Sequence, residues 1–426
     1  MEASLTVRRT KGRMRDRPAC GEIGSMKMQN RPIVLSLVAA LIAVVPATSH
    51  PAPPSAPSTS PASQPAAPRF GKPVRSPEVA DDRRVTFRFL APGAAEVVVL
   101  SDELGRLAMI KNDAGVWQIT TEPLEPDFYT YRFVIDGVAV ADPANTLNKP
   151  GVTGGHSSIV HVPGPASLLW EMNDVPRGVV HHHRYRSARL DGENEFYVYS
   201  PPGYDAAGKR AYPVLYLLHG VGDDARGWTT AGRANVILDK LTARGEAEPM
   251  LVVMPLGYGF ANPADRVGEI FAPLPNHREM MDAFADTLLD EVIPEVERVY
   301  LVDARRESRA LAGLSMGGTQ ALYIGLNQPS RFRWVAAFSG AFIMYAGMYD
   351  VYFPDVKAED RPAQDVWIAC GKKDFLFPVN RSLDKWLTSK GVEHKFTRTP
   401  GGHTWTVWRR NLGRYAKTLF RDKPGS

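Results

Sequence analysis

The segment Arg309-Ala-Leu-Ala-Gly-Leu-Ser-Met-Gly-Gly318 contains an apolar strand that leads into a G-x-S-x-G turn. A helix-forming stretch, 318–327, follows the turn directly. In such a strand–turn–helix unit, glycines permit the strained backbone that lifts a serine hydroxyl above the edge of a sheet. No other G-x-S-x-G occurs in the 426 residues. The segment therefore predicts a sheet with Ser315 exposed at the carboxyl end of one strand.

Around this unit, apolar strands alternate with helix-forming stretches. The predicted strands are 212–218, 250–255, 309–314, 334–338 and 366–369. The predicted helices are 231–244, 278–299, 318–327, 380–390 and 405–420. Near-continuous Val, Leu and Ile runs suit strands that are covered on both faces, which is typical of a parallel α/β sheet. We therefore predict an α/β-hydrolase fold over 195–426, with a doubly wound and mostly parallel sheet.

A serine hydroxyl is too weak an acid to attack an ester unaided, so a base must lie within hydrogen-bonding reach. In this fold the catalytic residues follow the chain order Ser, acid, His. Only His394 and His403 lie downstream of Ser315. His394 lies in a stretch that we interpret as a further, final strand after 366–369, whereas His403 follows two glycines on a loop before a helix. The sequence therefore favours His403 as the base.

The acid that orients the imidazole belongs on a loop after a late strand. Asp374 fits this position, four residues after Cys370. Three other acids stay open as substitutes, although they precede the strand: Asp355, Glu359 and Asp360. Motif order and loop placement favour Asp374.

Two N–H donors must stabilise the oxyanion that develops during acyl transfer. Met316, directly after the serine, is predicted as one donor because its backbone lies at a helix N-terminus. The other is expected in the turn after the strand that ends in His219-Gly220. Val221 is our first choice and Gly222 our second, and we expect His219 to support the turn rather than transfer protons.

A small β domain is predicted ahead of the α/β region, over 73–164. Residues 84–90 alternate between apolar and polar, as a half-buried strand requires. Asp136-Gly137 is a hairpin-turn signal. Further strands are predicted at 96–100, 116–120, 128–135 and 138–141. Short strands separated by turns at this spacing indicate a β-sandwich.

The sequence before this domain is typical of a targeting segment. Residues 33–45 form an apolar run that follows Lys27 and Arg31 and precedes small residues. This is the layout of a secretory signal peptide, and the run is short for a membrane-spanning helix. The predicted organisation is an upstream extension or misassigned start at 1–25, a signal peptide at 26–49, a Pro/Ala/Ser-rich linker at 50–72, the β-sandwich at 73–164, an interdomain linker at 165–194 and the α/β domain at 195–426. We therefore expect an exported protein, periplasmic or extracellular, without a stable membrane anchor.

Charge and motif content argue against several classes of function. The net charge is +5, and residues 1–31 account for all of it with eight basic and three acidic side chains. The rest of the chain is neutral, so it is not attracted electrostatically to nucleic acid. The consecutive histidines 181–183 alternate faces on an extended chain without acidic or Cys partners at ligand spacing, so a linker is favoured over a metal site. Asp223-Asp224 is interpreted as a polar turn rather than a cation site, and we expect no cofactor or metal.

Two resemblances extend this interpretation. The α/β region resembles the esterase D family, which includes feruloyl, acetyl-xylan and enterochelin esterases. The motifs that carry it are Tyr199-Ser-Pro-Pro-Gly-Tyr204, Tyr212-Pro-Val-Leu-Tyr-Leu-Leu-His-Gly220, Ala310-Leu-Ala-Gly-Leu-Ser-Met-Gly-Gly318, Phe338-Ser-Gly340, Cys370-Gly-Lys-Lys-Asp374 and Gly401-Gly-His-Thr-Trp405. Residues 76–145 resemble the immunoglobulin-like early-set module related to carbohydrate-binding family 48. In that module Trp117, Tyr129 and Tyr131 suit either a core or a glycan-stacking platform, and we expect core because large aromatics are usually buried.

The first resemblance implies a serine esterase whose nucleophile, acid and base are Ser315, Asp374 and His403. It further implies esters of plant polysaccharide as substrates, such as feruloyl or acetyl groups on xylan. Candidate substrate contacts are Trp228, Tyr345 and Trp405. A siderophore esterase, an acyltransferase and a non-catalytic glycan-binding protein remain alternatives. The oligomeric state stays undetermined by the sequence.

Overall fold

The computed structural model describes residues 74–152, 156–266, 268, 276–340, 349–356 and 363–421. The predicted upstream extension at 1–25, signal peptide at 26–49 and linker at 50–72 lie outside the described residues. Within the described part of the chain, no helix combines the length and the apolar character needed to cross a bilayer.

The first part of the described chain is built from ten short strands. They are β1 (Glu78–Val79), β2 (Val85–Leu90), β3 (Val97–Ser101), β4 (Gly105–Ala108), β5 (Ile110–Lys111), β6 (Val116–Thr120), β7 (Asp127–Ile135), β8 (Val138–Val140), β9 (Asn148–Lys149) and β10 (Ser157–Val162). One sheet has the order β1-β2-β6-β5, and the other has the order β4-β3-β7-β10-β9 with β8 paired to β7. All pairs are antiparallel.

Side chains from both sheets meet in one apolar core. Phe87 and Trp117 from the first sheet pack with Tyr129, Tyr131 and Phe133 from the second. Trp117 donates its indole N–H to the Ala91 carbonyl at 2.9 Å. None of the three aromatics considered for glycan stacking is more than 8% exposed, so they form the core of the sandwich.

The second part of the described chain contains one sheet of eight strands, which we call the large sheet. They are β11 (Val179–Ser187), β12 (Gly192–Ser200), β13 (Val214–Leu218), β14 (Leu251–Pro255), β15 (Arg309–Leu314), β16 (Trp334–Phe338), β17 (Asp365–Gly371) and β18 (His394–Thr399). Their order is β11-β12-β14-β13-β15-β16-β17-β18. The pairs from β14 to β18 are parallel, whereas β11 and β12 are antiparallel additions at one edge. This is the predicted α/β-hydrolase architecture.

The structure differs from the expected linker at 165–194. Strand β11 and the start of β12 lie inside that range and pair along their whole length. His182 stacks on Tyr197, and His183 stacks on Phe196, across the two strands. Because an edge strand leaves much of its surface in solvent, β11 carries no apolar periodicity that would distinguish it from a linker.

Helices cover both faces of the large sheet. The described α-helices are α1 (Gly227–Thr230), α2 (Ala234–Ala243), α3 (Pro263–Arg266), α4 (Asn276–Thr287), α5 (Ile293–Val299), α6 (Ser315–Asn327), α7 (Tyr349–Tyr352), α8 (Phe377–Ser389) and α9 (Trp405–Ala416). A π-helical turn, Leu288–Val292, joins α4 to α5, so the stretch predicted as one helix over 278–299 is helical but not uniform. A 3-10 turn, Arg306–Ser308, precedes β15. Separate apolar clusters lie on the two faces of the sheet.

The sandwich contributes to the core of the α/β region. Phe128 and Ile159 from its second sheet belong to the same buried cluster as Trp170, Ile237 and Trp408. This contact places one sheet of the sandwich against α9, with Ile237 of α2 in the same cluster.

Candidate active site

Ser315 lies in a strained turn between β15 and α6. Its φ is +49°, in the left-handed region that a side chain rarely adopts. The glycines around it are required by close backbone approach, since a Cβ on Gly313 would lie 2.3 Å from the Gly317 carbonyl. A Cβ on Gly317 would lie 2.4 Å from the His219 carbonyl oxygen. The local sequence is therefore what allows the turn to form.

The structure brings together the three residues predicted as nucleophile, base and acid. His403 Nε2 lies 3.0 Å from Ser315 Oγ. His403 Nδ1 lies 3.0 and 3.1 Å from the two carboxylate oxygens of Asp374. With Nδ1–H donating to the carboxylate, the Nε2 lone pair is available to accept the serine proton. The arrangement can make the hydroxyl nucleophilic.

Asp374 is held ionised in a buried position. Its side chain has no exposed surface. Burial is the largest influence on its pKa and acts to raise it, but the hydrogen bond and charge of His403 act against burial, together with hydrogen bonds from Ser339 and the Leu376 N–H. These interactions outweigh burial, and the pKa of Asp374 lies below its ordinary value. A carboxylate therefore faces the imidazole at neutral pH.

Ser339 is a supporting residue that we did not predict. It lies directly after β16, is fully buried and has a φ of +53°. Its hydroxyl oxygen accepts the indole N–H of Trp408 at 3.1 Å and also interacts with Asp374. The strand-end sequence Phe338-Ser-Gly340 was a usable signal, because polar residues at carboxyl ends of parallel strands face the site edge.

The alternative acids and base lie elsewhere or outside the described residues. Asp355 is exposed and lines a separate hollow with Arg278. Glu359 and Asp360 lie outside the described residues. His394 bonds to the Val392 carbonyl and to Asp384, at 2.8 and 3.1 Å.

The turn after β13 lies directly against the nucleophile. A Cβ on Gly220 would be 3.4 Å from the Cβ of Ser315. The Gly222 N–H is already engaged, since it donates to the Tyr258 hydroxyl at 2.9 Å. In contrast, no acceptor for the Val221 N–H exists among the described residues. The geometry favours Val221 over Gly222 as partner to Met316, whose N–H lies in the first turn of α6.

His219 supports this turn, in agreement with expectation. It is buried, its Nδ1 lies 2.8 Å from the Gly220 carbonyl, and its Nε2 accepts the Gly257 N–H at 2.8 Å. Burial lowers the pKa of His219, so the ring is neutral and donates from Nδ1. Both ring nitrogens of His219 therefore form hydrogen bonds with backbone groups.

A cleft of about 590 Å³ opens above Ser315. The α/β region contributes Phe375, Trp405 and Trp408 to its lining, among others. The sandwich contributes Asp102, Arg132, Lys149 and Ser157. The cleft thus has an aromatic side next to the triad and a polar, charged side supplied by the other domain.

Among the predicted substrate contacts, Trp405 lines the cleft, whereas Trp228 does not. Trp228 is fully buried, and its indole N–H donates to the Leu218 carbonyl at 2.9 Å. Its ring meets Trp405 edge-on at 5.3 Å between centroids. The expectation for Trp228 is therefore corrected: the residue packs behind the wall that Trp405 presents. Tyr345 lies outside the described residues.

The histidine and aspartate side chains that could suggest a metal site contact other side chains. His182 contacts Glu195, and His183 contacts the Tyr300 hydroxyl, at 2.8 and 2.7 Å. Asp224 binds the guanidinium of Arg226. Over the described ranges, no group of three or more His, Cys, Asp or Glu side chains has a metal-holding arrangement.

The chain is similar to several known esterases. A curated relative, an endo-1,4-beta-xylanase/feruloyl esterase of Xylanibacter ruminicola, is 30% identical over 81% of this chain, which spans 46% of the relative. The solved structure of a ferulic acid esterase from Anaeromyces mucronatus has 25% identity and a TM-score of 0.51, covering 60% of this chain and 96% of that one. The enterochelin esterase of Shigella flexneri has 20% identity and a TM-score of 0.61, and the match covers 81% of this chain and 94% of that one. This likeness supports the fold alone.

The family comparison covers the α/β region. The esterase family model matches residues 187–419, which include Ser315, Asp374 and His403. The match begins at the end of β11 and runs past α9, so it spans most of the large sheet and its helices. Since the match covers more than half of the residues, the chain belongs to the esterase family.

Proposed function

We propose that this protein is a carboxylic ester hydrolase that acts through an acyl-enzyme on Ser315. The observation that carries the proposal is the continuous path from Ser315 Oγ to His403 Nε2, and from His403 Nδ1 to Asp374, with each step close to 3.0 Å. Family membership supports the same reaction class. The strained backbone at Ser315 is consistent with a functional position.

In the first half-reaction, His403 Nε2 takes the hydroxyl proton while Ser315 Oγ bonds to the acyl carbon. The carbonyl oxygen becomes an oxyanion, which the N–H groups of Met316 and Val221 stabilise. Collapse breaks the ester bond, and the alcohol leaves with the proton from His403. Water then repeats the sequence on the acyl-enzyme, with His403 as base, and releases the carboxylic acid.

The proposed substrates are feruloyl or acetyl esters of plant cell-wall polysaccharide, such as xylan. Similarity to the feruloyl esterase of Xylanibacter ruminicola and the ferulic acid esterase of Anaeromyces mucronatus supports a feruloyl ester. Phe375 and Trp405 offer aromatic surface beside the triad for a phenolic acyl group. Export, with the signal peptide at 26–49, would bring the enzyme to such a polymer.

The substrate test compares three esters in one assay. Purified protein is incubated with methyl ferulate, acetylated xylan and a siderophore lactone, and the released acids are separated by chromatography. We expect turnover of the feruloyl or acetyl ester. Preferential cleavage of the lactone would assign the siderophore esterase function instead, and transfer of the acyl group to an added alcohol, with formation of a new ester, would indicate an acyltransferase.

The mechanism test replaces the nucleophile. Ser315→Ala is expected to lower kcat by at least about 10³-fold while the protein remains folded. Ser389→Ala, at the exposed end of α8, serves as the matched control and should retain activity. Full turnover by Ser315→Ala on every active ester would refute the acyl-enzyme mechanism.

A further inference from the structure

The sandwich contacts the α/β region directly at the turn beside Ser315. Gly151, which follows β9, forms an antiparallel β-bridge with Asp223. The next residue, Val152, donates its N–H to the Gly222 carbonyl at 3.2 Å. These contacts join residues 149–152, which we call the docking segment, to residues 220–223, which we call the oxyanion turn. The hydrogen bond from Val152 belongs to the bridge, so one strand-like backbone contact holds the turn from outside the α/β region.

An ion pair reinforces the backbone contact. The Lys149 amine of the docking segment binds the carboxylate of Asp223. Their side chains are only 14% and 8% exposed, and both line the cleft above Ser315. A pair removed from solvent in this way is screened far less than a surface pair. Removing one partner leaves the other charge poorly solvated.

Apolar packing connects the same elements to both predicted oxyanion donors. Val152 and Val221 pack against a buried cluster that contains Met316 and Tyr258. The Tyr258 hydroxyl accepts the Gly222 N–H and donates to the Asp223 carbonyl, at 2.9 and 3.0 Å. The docking segment and Tyr258 thus hold the oxyanion turn through different atoms of the turn.

The oxyanion turn needs contacts from outside the turn to hold its conformation. Gly222 has a φ of +81° and no atom within 4 Å of the position a Cβ would take, so its own packing does little to restrain it. An oxyanion donor is effective only when it is already aimed at the site where charge develops. We propose that the sandwich positions the oxyanion turn, and that Lys149 is the positioning residue that orients the Val221 N–H. This inference rests on the proposed esterase function.

The test uses the full chain and four variants. Lys149→Met removes the charge and keeps the apolar stem, while Lys149→Arg keeps the charge. The charge swap combines Lys149→Asp with Asp223→Lys. The matched control is Arg106→Met, which breaks an exposed sandwich ion pair with Glu96, outside the residues that line the cleft. For each variant we would measure kcat and KM on the ester turned over best, the melting temperature, and the rate at which an organophosphate labels Ser315.

We expect Lys149→Met to lower kcat and the labelling rate by about 10-fold or more, with KM changed less than about 2-fold. If Lys149 only stabilised the fold, Lys149→Met would lower the melting temperature but would not lower kcat selectively relative to KM. Lys149→Arg and the charge swap should each recover most of the lost rate. Arg106→Met should match the wild type in both rates.

The results separate this inference from the function on which it rests. Absence of both ester turnover and Ser315 labelling in the wild type would refute the proposed function. An active wild type with a folded Lys149→Met variant of unchanged kcat would refute only the positioning role. If Lys149→Met does not fold, the charge swap decides: recovery of kcat supports the role, and a folded but slow charge swap overturns it.

Discussion

The guanidinium of Arg409 in α9 is enclosed against the carboxylate of Asp127, the first residue of β7, and neither side chain has any exposed surface. Arg409 also donates to the Ala231 carbonyl, and Arg410 contacts the second carboxylate oxygen of Asp127 at 2.7 Å. Asp127 of the sandwich and Arg409 of the α/β region therefore form a buried ion pair between the two domains. Each of the two charged groups also has a further hydrogen-bond partner. This pair lies among the apolar residues that join sandwich and α/β region.

Breaking this pair should destabilise the whole protein. Arg409→Met leaves the Asp127 carboxylate buried with Arg410 as its remaining ion-pair partner and the Phe128 N–H as a neutral donor, and we expect the free energy of unfolding to fall by about 3–5 kcal/mol. Arg410→Met is the matched control, because the Arg410 side chain is 43% exposed. We expect the control to lose about 1 kcal/mol or less. Denaturant titration measures both, and equal losses would contradict a special role for the buried pair.

The strain at Ser315 should be measurable as stability. Ser315→Gly removes the Cβ at a φ of +49°, whereas Ser315→Ala keeps it. We expect the glycine variant to be more stable than the alanine variant by about 1 kcal/mol, since both lack the hydroxyl and differ in the cost of the left-handed backbone. Chemical unfolding of the two inactive variants gives the comparison. An alanine variant as stable as the glycine variant would mean that the turn carries no strain.

Glu103 in the sandwich should make stability depend on pH. Burial, with a smaller contribution from the charge of Asp102, raises its pKa from 4.5 to about 7. Between these values the folded protein holds a proton that the unfolded chain has released, so the free energy of unfolding falls as pH rises across this window. Glu103→Gln should remove this dependence and stabilise the protein at pH 8 by about 1–3 kcal/mol.

The matched control for this prediction is Glu122→Gln, since the Glu122 side chain is 86% exposed. Unfolding titrations of both variants and the wild type at pH 5 and pH 8 provide the measurement. If Glu103→Gln and the wild type lose stability equally between these pH values, the pH dependence arises elsewhere.

Phe375 should distinguish aromatic from small acyl groups. It follows Asp374, is 67% exposed, and its ring lies 4.7 Å from the imidazole of His403 between centroids. Phe375→Ala should lower kcat/KM on a feruloyl ester by about 5- to 10-fold through lost aromatic contact. The value on an acetyl ester should change little, and Phe375→Tyr should retain both. Parallel losses on the two esters would show that the ring supports His403 rather than the acyl group.

Sequence patterns predicted the nucleophile turn and the two residues that the structure places beside it. The G-x-S-x-G pattern predicted Ser315 because the chemistry of that turn needs glycines at fixed offsets, and the close contacts of Gly313 and Gly317 show why. His403 and Asp374 followed from chain order and from their positions after late strands. Phe375, although adjacent to Asp374, was missed because exposure at a cleft leaves no periodic trace in the sequence.

What the sequence determined by itself was the alternation of five parallel strands with helices, and the three side chains at the end of the large sheet, because both depend on residues close together in the chain or on fixed chain order. What the tertiary structure decided was which distant surfaces meet. Lys149 and Asp223, or Asp127 and Arg409, are ordinary charged residues until folding removes them from water together. Trp228 was placed in the core, and 179–187 in a strand, by contacts whose partners lie elsewhere in the chain. Such pairings depend on how two domains pack, which no local pattern encodes.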